Sequence, residues 1–300
     1  MKIAFIGLGN MGGGMAANLA AKSEEVVAFD LAAPALERAI GNGCSIASSA
    51  EEAVAGADVV VTMLPAGKHV ASVYRDSILG KAPTSALLID CSTIDVATAK
   101  SVEAEAAAAG YAMVDAPVSG GIAAADGGTL TFMVGGSDEG FERAKAILDK
   151  MGKAVIHAGD AGAGQAAKIC NNMLLGATMA ATCEAFVLAE KLGLDAQTFY
   201  DISSKASGQS WSMTSYCPVP GVGPDTPADR NYDGGFAAAL MLKDLKLAME
   251  AAKAAGAYTP MGGEAEELYQ RFVERGGGSK DFSALIKMID DSWVASDDKS

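Results

Sequence analysis

The chain has 300 residues, a formal net charge of −14 and 50% hydrophobic residues. That length suits two domains. The acidic balance disfavours nucleic acid or an anionic membrane as partner, since either needs a basic patch. A site for an anionic substrate must therefore supply its own local donors. Cys44, Cys91, Cys170, Cys183 and Cys217 are scattered and form no C-x-x-C pair, as free buried thiols of a reducing compartment do. The chain starts directly on an apolar strand without the layout of a signal peptide, so a cytoplasmic location is expected. No metal is expected.

In chain order, the apolar run 3–6 ends in glycines and reads as a buried parallel strand. Residues 10–21 read as a helix, 25–29 as a second strand closed by Asp30, and 34–40 as a short helix. Further strands are expected at 57–63, 86–90, 111–114, 130–134 and 154–157, with helices at 96–109 and 141–151. Strands alternating with helices predict a doubly wound parallel sheet of Rossmann type. No strand is expected after Gly164. Helices are expected at 165–192, 196–204, 236–255, 263–275 and 282–293. The stretch 217–235 holds four prolines and four glycines and reads as an ordered loop or a lid. The polar residues 295–300 are expected to fray. The fold class is thus α/β, a doubly wound parallel sheet (1–162) followed by an all-α domain (163–300) joined through a long helix. Thr178, Thr182 and Glu184 interrupt that helix's apolar stretch, which argues against a membrane span.

Gly7-Leu8-Gly9-Asn10-Met11-Gly12 follows the first strand and opens the first helix. Gly7 suits the tight turn, Gly9 lets backbone approach a pyrophosphate, and Gly12 lets helix and strand lie close. The helix N-terminus offers N–H groups to the phosphates. Asp30 can accept bonds from the adenosine ribose hydroxyls and repel a 2′-phosphate, and Leu31, Ala32 and Ala33 provide no arginine to hold one. The implied cofactor is NAD rather than NADP. Leu64, Pro65 and Thr93 fall at carboxyl ends of expected strands, where ligands bind in open α/β sheets. There Leu64 and Pro65 can wall the nicotinamide-side ribose and Thr93 offers a hydroxyl.

Ser119, Gly120 and Gly121 can present a hydroxyl and two N–H groups to an anion such as a carboxylate. A plain turn explains the same residues equally well. Lys168 and Asn172 lie four apart in an apolar helix and share a face, with Gln165 one turn earlier. A lysine in such surroundings is a snorkelling side chain, a salt-bridge partner or a proton donor. Neither His69 nor His157 has an obvious orienting carboxylate nearby in sequence. If the chain is a dehydrogenase, a lysine is the natural remaining acid/base. Lys243, beside Asp244, faces either solvent or a cleft. Trp211, Tyr216 and Phe236 suit either a core or a cover over a small substrate.

The glycine turn with Met15-Ala16-Ala17-Asn18-Leu19, the segment Asp115-Ala116-Pro117-Val118-Ser119-Gly120-Gly121, the run from Gly164 to Asn172, and Lys243-Asp244-Leu245 together resemble the β-hydroxyacid dehydrogenase family. The resemblance runs from Met1 to about Trp293. It implies a Rossmann domain, a long helix and an all-α domain that builds a homodimer or homotetramer. It also implies that Lys168 is catalytic, that Asn172 helps hold the substrate, and that Ser119, Gly120 and Gly121 bind its carboxylate. Trp211 and Phe236 would line the pocket and Lys243 would approach the cofactor. The implied reaction is NAD-dependent oxidation of a small β-hydroxyacid, 3-hydroxyisobutyrate of valine breakdown. Reduction of tartronate, succinate or sulfonated semialdehyde and a non-catalytic NAD sensor are the alternatives. Gly13-Gly14 replaces a usual proline of the family and Val96 another; both changes are expected to alter loop stiffness rather than chemistry.

Overall fold

The computed structural model describes residues 1–22 and 24–293. They divide into two units, Met1–Lys168 and Ile169–Ser300. The division falls inside a helix, after Lys168.

In the first unit the strands are β1 (Lys2–Ile6), β2 (Glu25–Phe29), β3 (Ser45–Ile46), β4 (Val59–Thr62), β5 (Leu87–Asp90), β6 (Ala112–Asp115), β7 (Val118–Ser119), β8 (Leu130–Gly135) and β9 (Gly152–Gly159). They form one sheet in the order β3-β2-β1-β4-β5-β6-β8-β7, with β9 beside β8. The helices are α1 (Gly12–Ala21), α2 (Ala33–Gly41), α3 (Ala50–Val54), α4 (Gly67–Val73), α5 (Val96–Ala108), α6 (Gly121–Asp126) and α7 (Asp138–Leu148).

The central strands read as unbroken apolar runs because both faces of the sheet are covered. Ile3, Phe5, Val59, Val61, Leu87 and Ile89 enter one hydrophobic cluster, with Met15 and Leu19 of α1. Their neighbours Ala4, Ile6, Val60 and Leu88 enter another, with Val70 of α4 and Val102 of α5. Successive side chains therefore alternate between two dry faces rather than between core and water.

The expected parallel, doubly wound arrangement holds from β3 through β6. Beyond it β8 runs antiparallel to β6 and to β7, while β9 returns parallel to β8. An apolar run carries no direction, so composition did not expose this reversal.

A single helix, α8 (Ala163–Lys191), begins in the first unit and continues into the second. By length and composition it is apolar enough to cross a membrane, but half of its most apolar window is buried in the protein. Met179, Cys183 and Phe186 join Met241 and Leu245, Tyr269, Phe272 and Phe282 in the second unit's core. The other helices of that unit are α9 (Ala196–Ser203), α10 (Trp211–Thr214), α11 (Ala238–Ala255), α12 (Pro260–Glu274) and α13 (Leu285–Ile289).

One expectation is narrowed here and another changes. Residues 217–235, expected as an ordered loop or a lid, are an ordered loop. Cys217, Ala228 and Tyr232 are buried in the core, and the Tyr232 hydroxyl donates to the Pro218 carbonyl at 2.8 Å. Residues 282–293 are not one helix but a 3-10 turn, Phe282–Ala284, followed by the short α13. Asp291 then turns the chain out of the helix with φ of 63°. The expectation for 295–300 lies outside the described residues.

Candidate active site

The glycine turn is shaped by close backbone approach. Gly7 has φ of 98°, and a side chain there would start 2.2 Å from the Met63 carbonyl oxygen. A side chain on Gly12 would start 2.0 Å from the carbonyl oxygen of Gly7, whereas one on Gly9 would meet nothing within 4 Å. Gly7 and Gly12 thus close the turn, and Gly9 faces open space at the start of α1. Asp30 belongs to the same corner, since its carboxylate accepts the Leu8 N–H at 2.6 Å and the Ala32 N–H at 2.8 Å. A glycine cradle with an acidic residue at the end of β2 fits a dinucleotide whose ribose is unphosphorylated.

Gly14 has a role that sequence did not show. A side chain there would start 2.4 Å from Asp126 Oδ1, and Asn18 Nδ2 donates to the Ala125 carbonyl at 2.7 Å. Glycine at this position lets α1 approach α6, the helix that carries the Ser119 turn, so the departure from the family's proline affects helix spacing as well as stiffness.

Leu64 and Pro65 follow β4 and Thr93 follows β5; Pro65 is exposed, the other two half-buried. A buried network joins these loops. The Leu64 N–H donates to Ser92 Oγ at 2.8 Å, Ser92 Oγ donates to Asp90 Oδ1 at 2.6 Å, and Thr62 Oγ1 donates to the same oxygen at 2.7 Å. Burial pushes the Asp90 carboxyl up to about 6, against the pull of the Ser92 and Thr62 hydroxyls.

Ser119 ends β7. Gly120 and Gly121 have φ of 137° and 71°, and Gly121 opens α6 with free space on its outer side. Both angles favour glycine, so the turn is conformationally specified as well as small.

Asp115, at the end of β6, accepts the N–H of Gly162 at 2.8 Å and of Gln165 at 2.7 Å. It thereby holds the start of α8, where a carboxylate is favoured by unpaired N–H groups and the helix dipole. Gly135 leaves room for this, since a side chain there would start 2.3 Å from Asp115 Oδ1. Lys168 follows one turn later and is 7% exposed.

In the second unit Asn172, 2% exposed, donates from Nδ2 to Asp244 Oδ2 at 2.6 Å. The other oxygen of Asp244 lies 3.5 Å from Lys243 Nζ. Asn172 and Lys243 are thus linked through a buried carboxylate to which sequence reasoning gave no role. Trp211 is half-exposed and stacks on Tyr216 at 4.8 Å; Tyr216 stacks on Phe282 at 5.4 Å, and Phe236 meets Phe282 edge-on. Buried Asp281 ties this row together, accepting from the Tyr216 hydroxyl at 2.9 Å and the Phe236 N–H at 2.8 Å.

His157 does have a carboxylate partner, Asp138, 3.4 Å from Nδ1. Its Nε2 lies 2.9 Å from the Gly136 carbonyl oxygen, so both ring nitrogens are engaged structurally. Among the described residues no group of three or more His, Cys, Asp or Glu side chains is arranged to hold a metal ion.

Glu103 on α5 yields a pH prediction. Its Oε2 is buried without a hydrogen-bond partner. Burial, then the charges of Asp115 and Asp160, push its carboxyl from 4.5 to about 7. Unfolded, the group ionises near its ordinary value, so folding takes up a proton between those two pH values. Stability contributed here falls as pH rises from about 4.5 to about 7 and stays lowered above. Glu103→Gln is expected to leave Tm nearly unchanged near pH 4.5 and to raise it by a few degrees near pH 8. Thermal melts across that range check this; a gain independent of pH contradicts it.

The glycine cradle, Asp30 and the strand-end loops define the class, a Rossmann-type dinucleotide-binding protein. A family profile described as the NAD binding domain of 6-phosphogluconate dehydrogenase matches residues 2–159. Another, described as NAD-binding of NADP-dependent 3-hydroxyisobutyrate dehydrogenase, matches residues 162–289. A 3-hydroxyisobutyrate dehydrogenase of Pseudomonas aeruginosa is 48% identical over 290 residues, 95% of this chain and 97% of its own length. An NAD-dependent L-serine dehydrogenase of the same organism is 46% identical over 291 residues, 96% of this chain and 98% of its own. A solved structure of Mycobacterium tuberculosis 3-hydroxyisobutyrate dehydrogenase with L-serine has 48% identity and a TM-score of 0.92, covering 96% of this chain and 98% of that one. The chain belongs to the β-hydroxyacid dehydrogenase family and is an NAD-dependent oxidoreductase.

Proposed function

We propose that the protein oxidises 3-hydroxyisobutyrate to methylmalonate semialdehyde, with Lys168 as the acid/base. The observation that carries this reading is the pair Lys168 and Asn172, both buried and one turn apart on α8. A lysine held out of bulk water on this helix is placed where acid/base chemistry can use its amine. Bound NAD supplies the acceptor for the two electrons leaving the alcohol carbon.

The chain's own residues then divide the remaining work. Ser119 Oγ and the N–H groups of Gly120 and Gly121 hold the substrate carboxylate, a local donor set in a chain of net negative charge. Lys168, in its neutral form, takes the hydroxyl proton as the alcohol carbon is oxidised. Asn172 holds the substrate, and Asp244 fixes its amide so that Nδ2 points one way only. Trp211 and Phe236 serve as substrate contacts and Lys243 as a cofactor contact, as the family resemblance implies. Leu64, Pro65 and Thr93 flank the nicotinamide-side ribose. The protein works in the cytoplasm as a homodimer or homotetramer, with assembly assigned to the helical part.

L-serine is the second reading, because it is also a β-hydroxyacid and the similar proteins include an L-serine dehydrogenase. Initial rates of NADH formation with 3-hydroxyisobutyrate and L-serine, and of NADH oxidation with tartronate, succinate and sulfonated semialdehydes, separate these substrates. The expected result is a kcat/KM for 3-hydroxyisobutyrate at least about tenfold above that for L-serine, a difference of about 1.4 kcal/mol in transition-state binding. A reversed order selects L-serine. No turnover with any of them leaves an NAD sensor.

A further inference from the structure

We propose that Gln165 is a positioning residue that sets Lys168 against the loops at the ends of β4 and β5. The proposal rests on the reading of Lys168 as the acid/base. Gln165 is fully buried. Its Nε2 donates to the Ser92 carbonyl at 2.7 Å and its Oε1 accepts the Ile94 N–H at 3.0 Å. One side-chain amide thus grips the peptide groups on both sides of Thr93.

The grip extends further. Ser92 Oγ accepts the Leu64 N–H and donates to Asp90, so the loops after β4 and β5 are fastened to one another and then to Gln165. From the opposite side, the backbone N–H of Gln165 donates to Asp115 at the end of β6. Three strand ends therefore converge on one residue, which precedes Lys168 by three positions. On a helix that spacing is nearly one turn, so fixing Gln165 fixes the direction in which Lys168 leaves α8. Alternative partners do not replace it easily. The grip requires a donor and an acceptor on one planar group, and a hydrocarbon of the same size supplies neither.

The test uses the full chain with NAD and the variants Gln165→Met, Gln165→Glu and Lys168→Met. NAD affinity and the number of NAD sites per chain are measured by calorimetric titration, and kcat is expressed per NAD site. For Gln165→Met the account expects a ten- to hundredfold lower kcat per site, with the Kd for NAD and the KM for the hydroxyacid each within about threefold of the parent. Gln165→Glu is expected to fall between Met and the parent, because a buried carboxyl that keeps its proton can both donate and accept. A merely structural role instead lowers the number of NAD sites or raises both constants while kcat per site stays put; that result overturns the proposal. If Gln165→Met does not fold, the kcat per site of Gln165→Glu decides, and a value equal to the parent's or no higher than that of Lys168→Met counts against it. Retained turnover in Lys168→Met refutes the acid/base reading separately, whatever the Gln165 variants show.

Discussion

Replacing Lys168 by methionine is expected to lower kcat by about 10²- to 10⁴-fold, the range of a positioned general acid or base. Methionine keeps most of the stem's length and bulk in a buried position and removes the amine. The Kd for NAD is expected to change less than about threefold, because the proposed dinucleotide cradle, Asp30 and the turn Gly7 to Gly12, is built without Lys168. KM for the hydroxyacid is also expected to move little, since the proposed substrate contacts are Ser119, Gly120, Gly121 and Asn172. Steady-state kinetics with a parallel NAD titration check this. A kcat within tenfold of the parent would remove Lys168 from the chemistry.

Replacing Asp30 by alanine is expected to raise the KM for NAD about ten- to a hundredfold, since hydrogen bonds to a charged group contribute about 1.5–3 kcal/mol. The same change removes the charge that opposes a 2′-phosphate, so the KM for NADP falls or stays level and the preference narrows. The structure adds a second contribution. Asp30 also accepts the N–H groups of Leu8 and Ala32, so its loss loosens the glycine turn itself. Asp30→Asn separates the two effects: one amide oxygen can still accept an N–H, while the charge is gone. It is expected to relax cofactor preference with a smaller loss of NAD affinity. An unchanged ratio of kcat/KM for NAD and NADP in both variants contradicts the ribose assignment.

Much of the first unit was legible because its signals are local. The runs around Phe5, Val60 and Leu88 are short, apolar and bounded by glycine, proline or aspartate. Each matches a strand within a residue or two. The glycine turn was legible because its strand and helix adjoin it. Elements such as β3, of two residues, and α3, of five, are too short to leave a periodic pattern. The antiparallel course of β8 was hidden because strand direction is set by partners, not by composition.

The candidate site divides along the same line. Lys168, Asn172 and the Ser119 turn could be singled out from spacing within a helix or a turn. Asp115 and Gln165 could not be given their roles, because their partners lie 47 to 73 positions away in the chain. Asp244 was visible only as half of a charged pair on a helix, a pattern that usually means a solvated face. Its burial against Asn172 arises from the contact of α8 with α11. The prolines and glycines of 217–235 left an ordered loop and a lid both open because composition reports turns and not burial. Tyr232 and Cys217 show that this loop is part of a core.

The most direct measurement is single-turnover absorbance at the NADH band after mixing enzyme and NAD with 3-hydroxyisobutyrate from about pH 6 to about pH 10, for the parent and for Lys168→Ala. The account predicts an NADH formation rate that rises with pH through one ionisation in the parent. It predicts a slow rate without that ionisation in the variant. The same ionisation at a comparable rate in both proteins, or no NADH from the parent at any pH, would contradict it.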